Sequence, residues 1–151
     1  MYGLTQFKPH STEMAGTKIL AADFSLSHGV FLSNDGYVYT CGQNMPDLLG
    51  CEYTPLSDDD KEYTPNLLRV TLPGSKSPAV KIACGVDSTF VITEDGVCYS
   101  WGINSYENLA QDLAPKEISS PKPINLGSSQ ITRVRKVSVG NAATFILAEC
   151  E

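Results

Sequence analysis

The chain repeats itself. Laying residues 20–50 over 80–110, a shift of 60 without a gap, aligns six identical pairs: Asp35/Asp95, Gly36/Gly96, Tyr39/Tyr99, Gly42/Gly102, Asn44/Asn104 and Leu49/Leu109. The identities fall on turn residues and glycines, where a fold is punctuated. Conservative pairs fill the runs between them: Val30/Phe90, Phe31/Val91, Leu32/Ile92, Ser33/Thr93 and Thr40/Ser100. A partial third copy follows at a shift of 55, with residues 82–85 matching 137–140 and 90–92 matching 145–147. Such a period constrains the fold strongly. One unit cannot bury its apolar face alone, so the units must stack and share a core.

Each unit reads as short antiparallel strands. Residues 30–33 are an apolar run of strand length, and 37–41 (Tyr-Val-Tyr-Thr-Cys) are rich in aromatic and β-branched residues. Between them stands Asn34-Asp35-Gly36, and Asp-Gly is the signature of a tight two-residue hairpin turn. The second copy says the same, with strands at 89–93 and 97–101 around Glu94-Asp95-Gly96. Another extended run precedes each hairpin, at 18–22, 79–84 and 133–139. Helix signals are thin: only 47–51 and 106–113 could form a turn or two. The expectation is an all-β chain of four-stranded units.

Composition excludes several function classes. The net charge of −6 is a poor basis for binding nucleic acid, which needs a basic surface. The acidity is uneven: residues 1–75 hold 4 basic and 9 acidic groups, and 76–151 hold 7 and 8. No run approaches the roughly 20 apolar residues of a membrane helix. The five cysteines (Cys41, Cys51, Cys84, Cys98, Cys150) never form C-x-x-C, and the two histidines lie near no cysteine pair. That pattern argues against a zinc site, and no metal or other cofactor is expected. It points to buried free thiols in a reducing, intracellular setting, cytoplasmic or nuclear.

The repeated unit resembles the regulator of chromosome condensation repeat, a propeller-blade family. The likeness rests on residues 81–96 (KIACGVDSTFVITEDG) followed by 97–110 (VCYSWGINSYENLA). The family writes the second piece as aromatic-glycine-x-asparagine, then glycine-glutamine-leucine-glycine. Trp101, Gly102, Asn104 and Leu109 fit, whereas Glu107, Asn108 and Ala110 depart. In the first copy Gly42, Asn44, Leu49 and Gly50 fit, Cys41 replaces the tryptophan, and Asp47 and Leu48 depart. His28 matches the family's histidine before the hairpin, where the later copies have Ser88 and Ala143. Pro65 and Pro121 sit at the family's linking proline. Asp47 and Glu107 in place of glycine imply a relaxed turn there. By this resemblance Trp101 and His28 are structural, as are Asp35, Gly36, Gly85, Asp95, Gly96 and Gly140.

The resemblance implies a partial β-propeller of antiparallel four-stranded blades. The expected organisation is an N-terminal strand and linker (1–17), a first repeat (18–78) carrying an acidic loop (51–63), a second repeat (79–132) and a partial third (133–151). A full ring of the family takes roughly seven blades, and about two and a half are on hand. Residues 1–6 echo 38–43, a return strand, and the third copy stops near its hairpin turn. Hence the expectation that the open blade is completed by oligomerisation or by a partner. Two copies would give roughly six blades.

Candidate contact residues are of two kinds. Asp58, Asp59, Asp60 and Glu62 make an acidic loop suited to a basic partner surface, though a calcium loop's ligand alternation is absent. Arg133 and Arg135 alternate along one face of a strand, where they could meet phosphate or an acidic partner or simply guard an edge. No catalytic residues are assigned: no nucleophile, base and carboxylate stand in a recognisable spacing. The reading is a non-enzymatic protein–protein interaction module, a scaffold or subunit of a larger assembly, without direct nucleic-acid or membrane contact. Guanine-nucleotide exchange on a Ran-like small GTPase is the alternative that the resemblance implies. Chromatin association through a basic protein partner is a third.

Overall fold

The computed structural model describes residues 16–44, 48–52, 63–111, 116–127 and 131–150. They carry the strands β1 (Ile19–Phe24), β2 (His28–Ser33), β3 (Val38–Gln43), β4 (Tyr63–Val70), β5 (Ala79–Cys84), β6 (Ser88–Thr93), β7 (Cys98–Ile103), β8 (Glu117–Pro123), β9 (Ile131–Val139) and β10 (Thr144–Cys150). No helix occurs among the described residues; those of 47–51 and 106–113 are turns, bends and irregular chain. The sheets are β1-β2-β3-β4, β5-β6-β7-β8 and β9-β10, all antiparallel between neighbours.

The sequence shift of 60 is also a register shift. Ala21 stands opposite Leu32 as Lys81 stands opposite Ile92, and His28 opposite Gly42 as Ser88 opposite Gly102. The inner hairpins close alike in all three units. Ser25, Gly85 and Gly140 donate their N–H groups to the carbonyls of His28, Ser88 and Ala143 at 2.9, 2.7 and 2.8 Å. The fourth strand breaks the rule. It arrives six residues sooner after Gly102 than after Gly42, because the first unit carries the longer loop.

The outer hairpin is longer than the two-residue turn that Asp-Gly suggests. Three residues, 34–36, span the gap between Ser33 and Tyr37, whose backbone N–H and C=O meet at 3.0 Å. The Gly36 N–H returns to the Ser33 carbonyl at 3.1 Å, and Gly36 itself takes φ 79°. This is a turn followed by one left-handed residue, so only the glycine needs positive φ. Residues 93–97 repeat it, with Gly96 at φ 87°. The aspartates act as caps: the Ser33 and Thr93 hydroxyls donate to Asp35 and Asp95 Oδ1, both at 2.5 Å. The Thr93 hydroxyl holds the Asp95 carboxyl below its ordinary value.

Pro65 and Pro121 lie within β4 and β8, the last strands of their sheets. A proline has no N–H to give a ladder and is tolerated at such an edge. Both strands pair irregularly with their neighbours around these residues.

One correction concerns the loop after β7. Glu107 and Ala110 hold φ 56° and 53°, so this turn is not relaxed. It keeps the left-handed backbone without glycine, at a cost of about 1 kcal/mol per residue. The loop is held in place from several sides. Asn104 Oδ1 accepts the Leu109 N–H at 3.0 Å, and the Ser100 hydroxyl donates to the Leu109 carbonyl at 2.7 Å. Asn44 and Thr40 do the same for Leu49, at 3.4 and 2.7 Å.

The core lies between the units. Val30, Leu32, Val38 and Val70 of the first blade, Phe90, Val91, Ile92, Trp101 and Leu109 of the second, and Val134 and Val137 of the third form one buried cluster. A smaller cluster of Phe31, Tyr39, Cys41 and Leu67 lies on the other face of the first sheet.

Gly36→Ala is expected to destabilise the fold by about 2 kcal/mol or more, because an added Cβ would collide with the Pro78 ring in a left-handed backbone. Ala110→Gly should act oppositely, raising stability by about 1 kcal/mol. Urea denaturation of both variants against the parent checks the pair.

Candidate functional site

The side chains with chemical potential converge on the seam between the first two blades. β2 begins at His28, just after the turn closed by the Ser25 N–H on the His28 carbonyl, and the side chain is buried in the interface, 3% exposed. Its Nε2 lies 2.7 Å from Thr89 Oγ1 of the second blade and 3.3 Å from Cys84 Sγ. Its Nδ1 faces the Ser25 and Ser27 hydroxyls at 3.0 and 3.3 Å. Burial pushes its pKa down to about 4, so the ring is neutral at physiological pH and serves both blades as a hydrogen-bonding bridge.

This group is not arranged for catalysis. The nearest sulfur nucleophile, Cys84, is pushed up to about 12 by burial, far from the thiolate a nucleophile needs. Hydroxyls, not a carboxylate, face His28 Nδ1, and Asp23 is engaged elsewhere, accepting the Cys84 backbone N–H at 2.9 Å. Among the described residues no group of three or more His, Cys, Asp or Glu is placed to hold a metal ion. All five cysteines are free. Cys41 and Cys98 are buried, Cys51 and Cys84 half-buried, and Cys150 exposed, so the expectation of buried thiols fails at Cys150.

Further ties cross the same seam. Trp101, fully buried, donates its indole N–H to the Leu48 carbonyl at 2.9 Å and lies flush on Gly50. The Gly36 carbonyl accepts the Ala79 N–H at 3.0 Å, and the Ser27 hydroxyl donates to the Val86 carbonyl at 3.1 Å. The seam between the second and third units keeps part of this pattern. Gly96 accepts the Val134 N–H at 2.9 Å, and Thr144 donates to the Asn108 carbonyl at 2.7 Å. The histidine bridge is absent there: Ser88 stands in its place, and its hydroxyl is buried with no hydrogen-bond partner.

The candidate contact residues divide. Arg133 is drawn into the second seam. Its stem packs on Gly96 and its guanidinium donates to the Glu94 carbonyl. Arg135 lies at the surface and pairs with Glu149 at 2.5 Å, while its own carbonyl accepts from Lys81 Nζ at 2.6 Å. Asp58, Asp59, Asp60 and Glu62 lie outside the described residues. Gly42 and Gly102 stand opposite the first residues of β2 and β6, and Gly85 and Gly140 start the inner hairpin turns.

Sequence reading missed Thr89, Asp23 and Cys84. Their role depends on partners about 60 residues away, and one signal did exist: the repeat puts Thr89 over Gly29 and Thr144, marking that column as variable. Surface concavities also follow the seams. One of about 360 Å³ is lined by Ala21, Leu32, Ile82, Phe90 and Val137; another of about 450 Å³ by Leu26, Cys84, Val86 and Val139. Leu26, 92% exposed, stands beside the latter.

Stacked four-stranded antiparallel units with a continuous inter-unit core define a repeat protein of the β-propeller class. The Regulator of chromosome condensation (RCC1) repeat model matches residues 35–92 and 95–147, and a second model of that description matches 79–107. The chain belongs to the RCC1 repeat family. It is 30% identical over 119 residues to the Inhibitor of Bruton tyrosine kinase of Xenopus laevis, covering 79% of this chain and 8% of that protein. It is 32% identical over 108 residues to the probable E3 ubiquitin-protein ligase HERC4 of Mus musculus, covering 72% and 10%. Alsin of Rattus norvegicus is 28% identical over 141 residues, covering 88% and 8%. The chain thus spans about a tenth of the length of these curated relatives. Among solved structures, Prp20p of Saccharomyces cerevisiae superposes with a TM-score of 0.76 at 19% identity, covering 89% of this chain and 32% of that one. Human WBSCR16 gives 0.71 at 18%, covering 87% and 31%.

The buried neutral histidine makes stability depend on pH. Its folded-state value lies below the free value of 6.5, so the unfolded chain binds the extra proton first. The contribution is complete above about pH 6.5 and is lost as pH falls through 4, on the order of 3 kcal/mol in all. Urea midpoints at pH 7.5, 5.5 and 4.5 should fall more steeply for the parent than for His28→Gln.

Proposed function

We propose that the chain is a non-enzymatic protein–protein interaction module, acting as a scaffold or subunit of a larger assembly. The observation that carries this reading is the use of its polar side chains. The buried His28 and the neighbouring thiol are spent on holding blades together, which leaves loops and sheet edges as the working surface. The relatives support it. The chain aligns to short stretches of proteins as different as an inhibitor of a tyrosine kinase and a probable ubiquitin ligase. Prp20p is described as binding Gsp1p and histones, and yeast RCC1 as bound by Kap60. In this reading the partner is a protein, and the setting is inside the cell, cytoplasmic or nuclear. No helix among the described residues is long and apolar enough to cross a membrane.

The acidic loop with Asp58, Asp59, Asp60 and Glu62 is proposed as one contact, for a basic partner surface. Charge there steers encounter, so its loss slows association and salt weakens it. Arg135, at the surface, is the basic counterpart, whereas Arg133 is committed to the seam. Guanine-nucleotide exchange on a Ran-like GTPase stands second. It draws on the likeness to Prp20p, which at 19% identity carries the fold alone.

Native affinity purification from the chain's own cells should yield a stoichiometric protein partner at physiological salt. Neutralising the four acidic groups to Asn and Gln should reduce its recovery without changing the melting temperature. Absence of any stoichiometric partner in native extracts counts against the module, and accelerated nucleotide release from a Ran-like GTPase would move the second reading to first.

A further inference from the structure

The segment that carries the chain from the first blade into the second, residues 71–78, lies between β4 and β5 and belongs to no strand. It is nevertheless bolted to both blades. Its Pro78 carbonyl accepts the Glu94 N–H of the second outer turn at 2.9 Å, and the next residue, Ala79, donates to the Gly36 carbonyl of the first at 3.0 Å. Within the segment the Ser75 hydroxyl donates to the Ser77 carbonyl at 2.8 Å. The half-buried Ser77 side chain faces the second blade. After Thr93, its hydroxyl is the next hydrogen bond holding the Asp95 carboxyl below its ordinary value.

Ser77 stands immediately before Pro78. A proline disfavours helical backbone in the residue ahead of it, so Ser77 is offered in extended chain, between exposed Lys76 and exposed Pro78. The other described pairs of this kind differ. Thr64, before Pro65, is fully buried, and its hydroxyl accepts the Asn66 N–H at 3.1 Å. Ser120, before Pro121, is exposed on β8, the last strand of its sheet. The repeat puts Thr17 and Thr132 in the column of Ser77, but they precede Lys18 and Arg133. Among these three linkers, only the one at the first seam has a proline after its hydroxyl.

We propose that Ser77 is a phosphorylation site for a proline-directed protein kinase, and that the phosphate loosens the first seam by standing against Asp95. In the transfer, Ser77 Oγ bonds to the γ-phosphorus of ATP, the bond from that phosphorus to the bridging oxygen breaks, ADP leaves, and the hydroxyl proton passes to the kinase's base. The oxygen can then no longer donate, and a phosphoserine carries about −1.5 to −2 charges near neutral pH. A hydrogen-bond donor to Asp95 becomes a like-charged neighbour, beside the turn whose Glu94 N–H holds Pro78. Two cations, Arg69 and Lys76, line the same cleft of about 350 Å³ and offset this only in part. Arg69 is stacked 3.7 Å over the Tyr37 ring, and Lys76 is exposed, where ion pairs contribute little.

The folded full chain, incubated with ATP and a purified kinase of the cyclin-dependent class and then peptide-mapped by mass spectrometry, tests this. Ser77 should gain phosphate while Thr64 does not, and Ser77→Ala should abolish that site. On a Ser120→Ala background, which removes the other exposed acceptor, phosphorylation should lower the melting temperature by about 2–4 °C. In Asp95→Asn the same modification should shift the melting temperature by less than half as much, each variant being compared with its own unmodified form. No phosphate at Ser77, transfer only in urea, an unchanged melting temperature, or an equal shift in Asp95→Asn overturns the inference.

Discussion

The structure depends on the burial of sheet faces against one another. A sheet of four strands, each six to eight residues long, has two faces and too little of its own to cover either. Covering comes from the neighbouring unit, so the core of this chain is found at the seams. Trp101 shows the economy of the device. A single indole fills the space above Gly50, satisfies its N–H on the Leu48 carbonyl and fixes the loop that follows β3. Stability is therefore a property of adjacent pairs, and a blade out of contact would lose most of its apolar burial.

The two seams are not equally well made. The first has the His28–Thr89 bridge, the Asp23–Cys84 bond and the indole contact together. The second replaces the histidine with Ser88, too short to cross, and leaves its hydroxyl unsatisfied. Arg133 compensates in part, laying its stem on Gly96 and reaching the Glu94 carbonyl. A buried unpaired hydroxyl costs about 1–3 kcal/mol. Opening between the second and third units is accordingly easier than between the first and second.

Much of this fold was legible in the residues. The shift of 60 between Asp35-Gly36 and Asp95-Gly96 carried directly into strand register, because repeated turns set repeated pairings. Three strands per unit announced themselves by apolar and β-branched runs. The fourth did not: β4 and β8 are broken by Pro65 and Pro121 and alternate poorly, as edge strands with one solvated side can. Turn length was hidden, since Asp-Gly serves two-residue and three-residue loops alike. Glu107 was misleading because two side-chain caps hold a backbone that its own preference would not choose. Of the candidate site, the contact of Thr89 was not legible, since nothing local to a threonine reveals a histidine 61 residues away. Arg133 and Arg135 looked equivalent by alternation. An irregularity in the pairing of β9 with β10 at this point separated them, one to a seam and one to the surface.

The unequal spans between third and fourth strands have a consequence for engineering. The same sheet is built whether that crossing is long or six residues shorter. Closing a flexible crossing becomes harder only with the logarithm of its length, by about 0.6 kcal/mol for each doubling. That crossing is therefore a natural place to graft a foreign epitope or a reporter peptide, with the strands on either side holding its ends at a set separation.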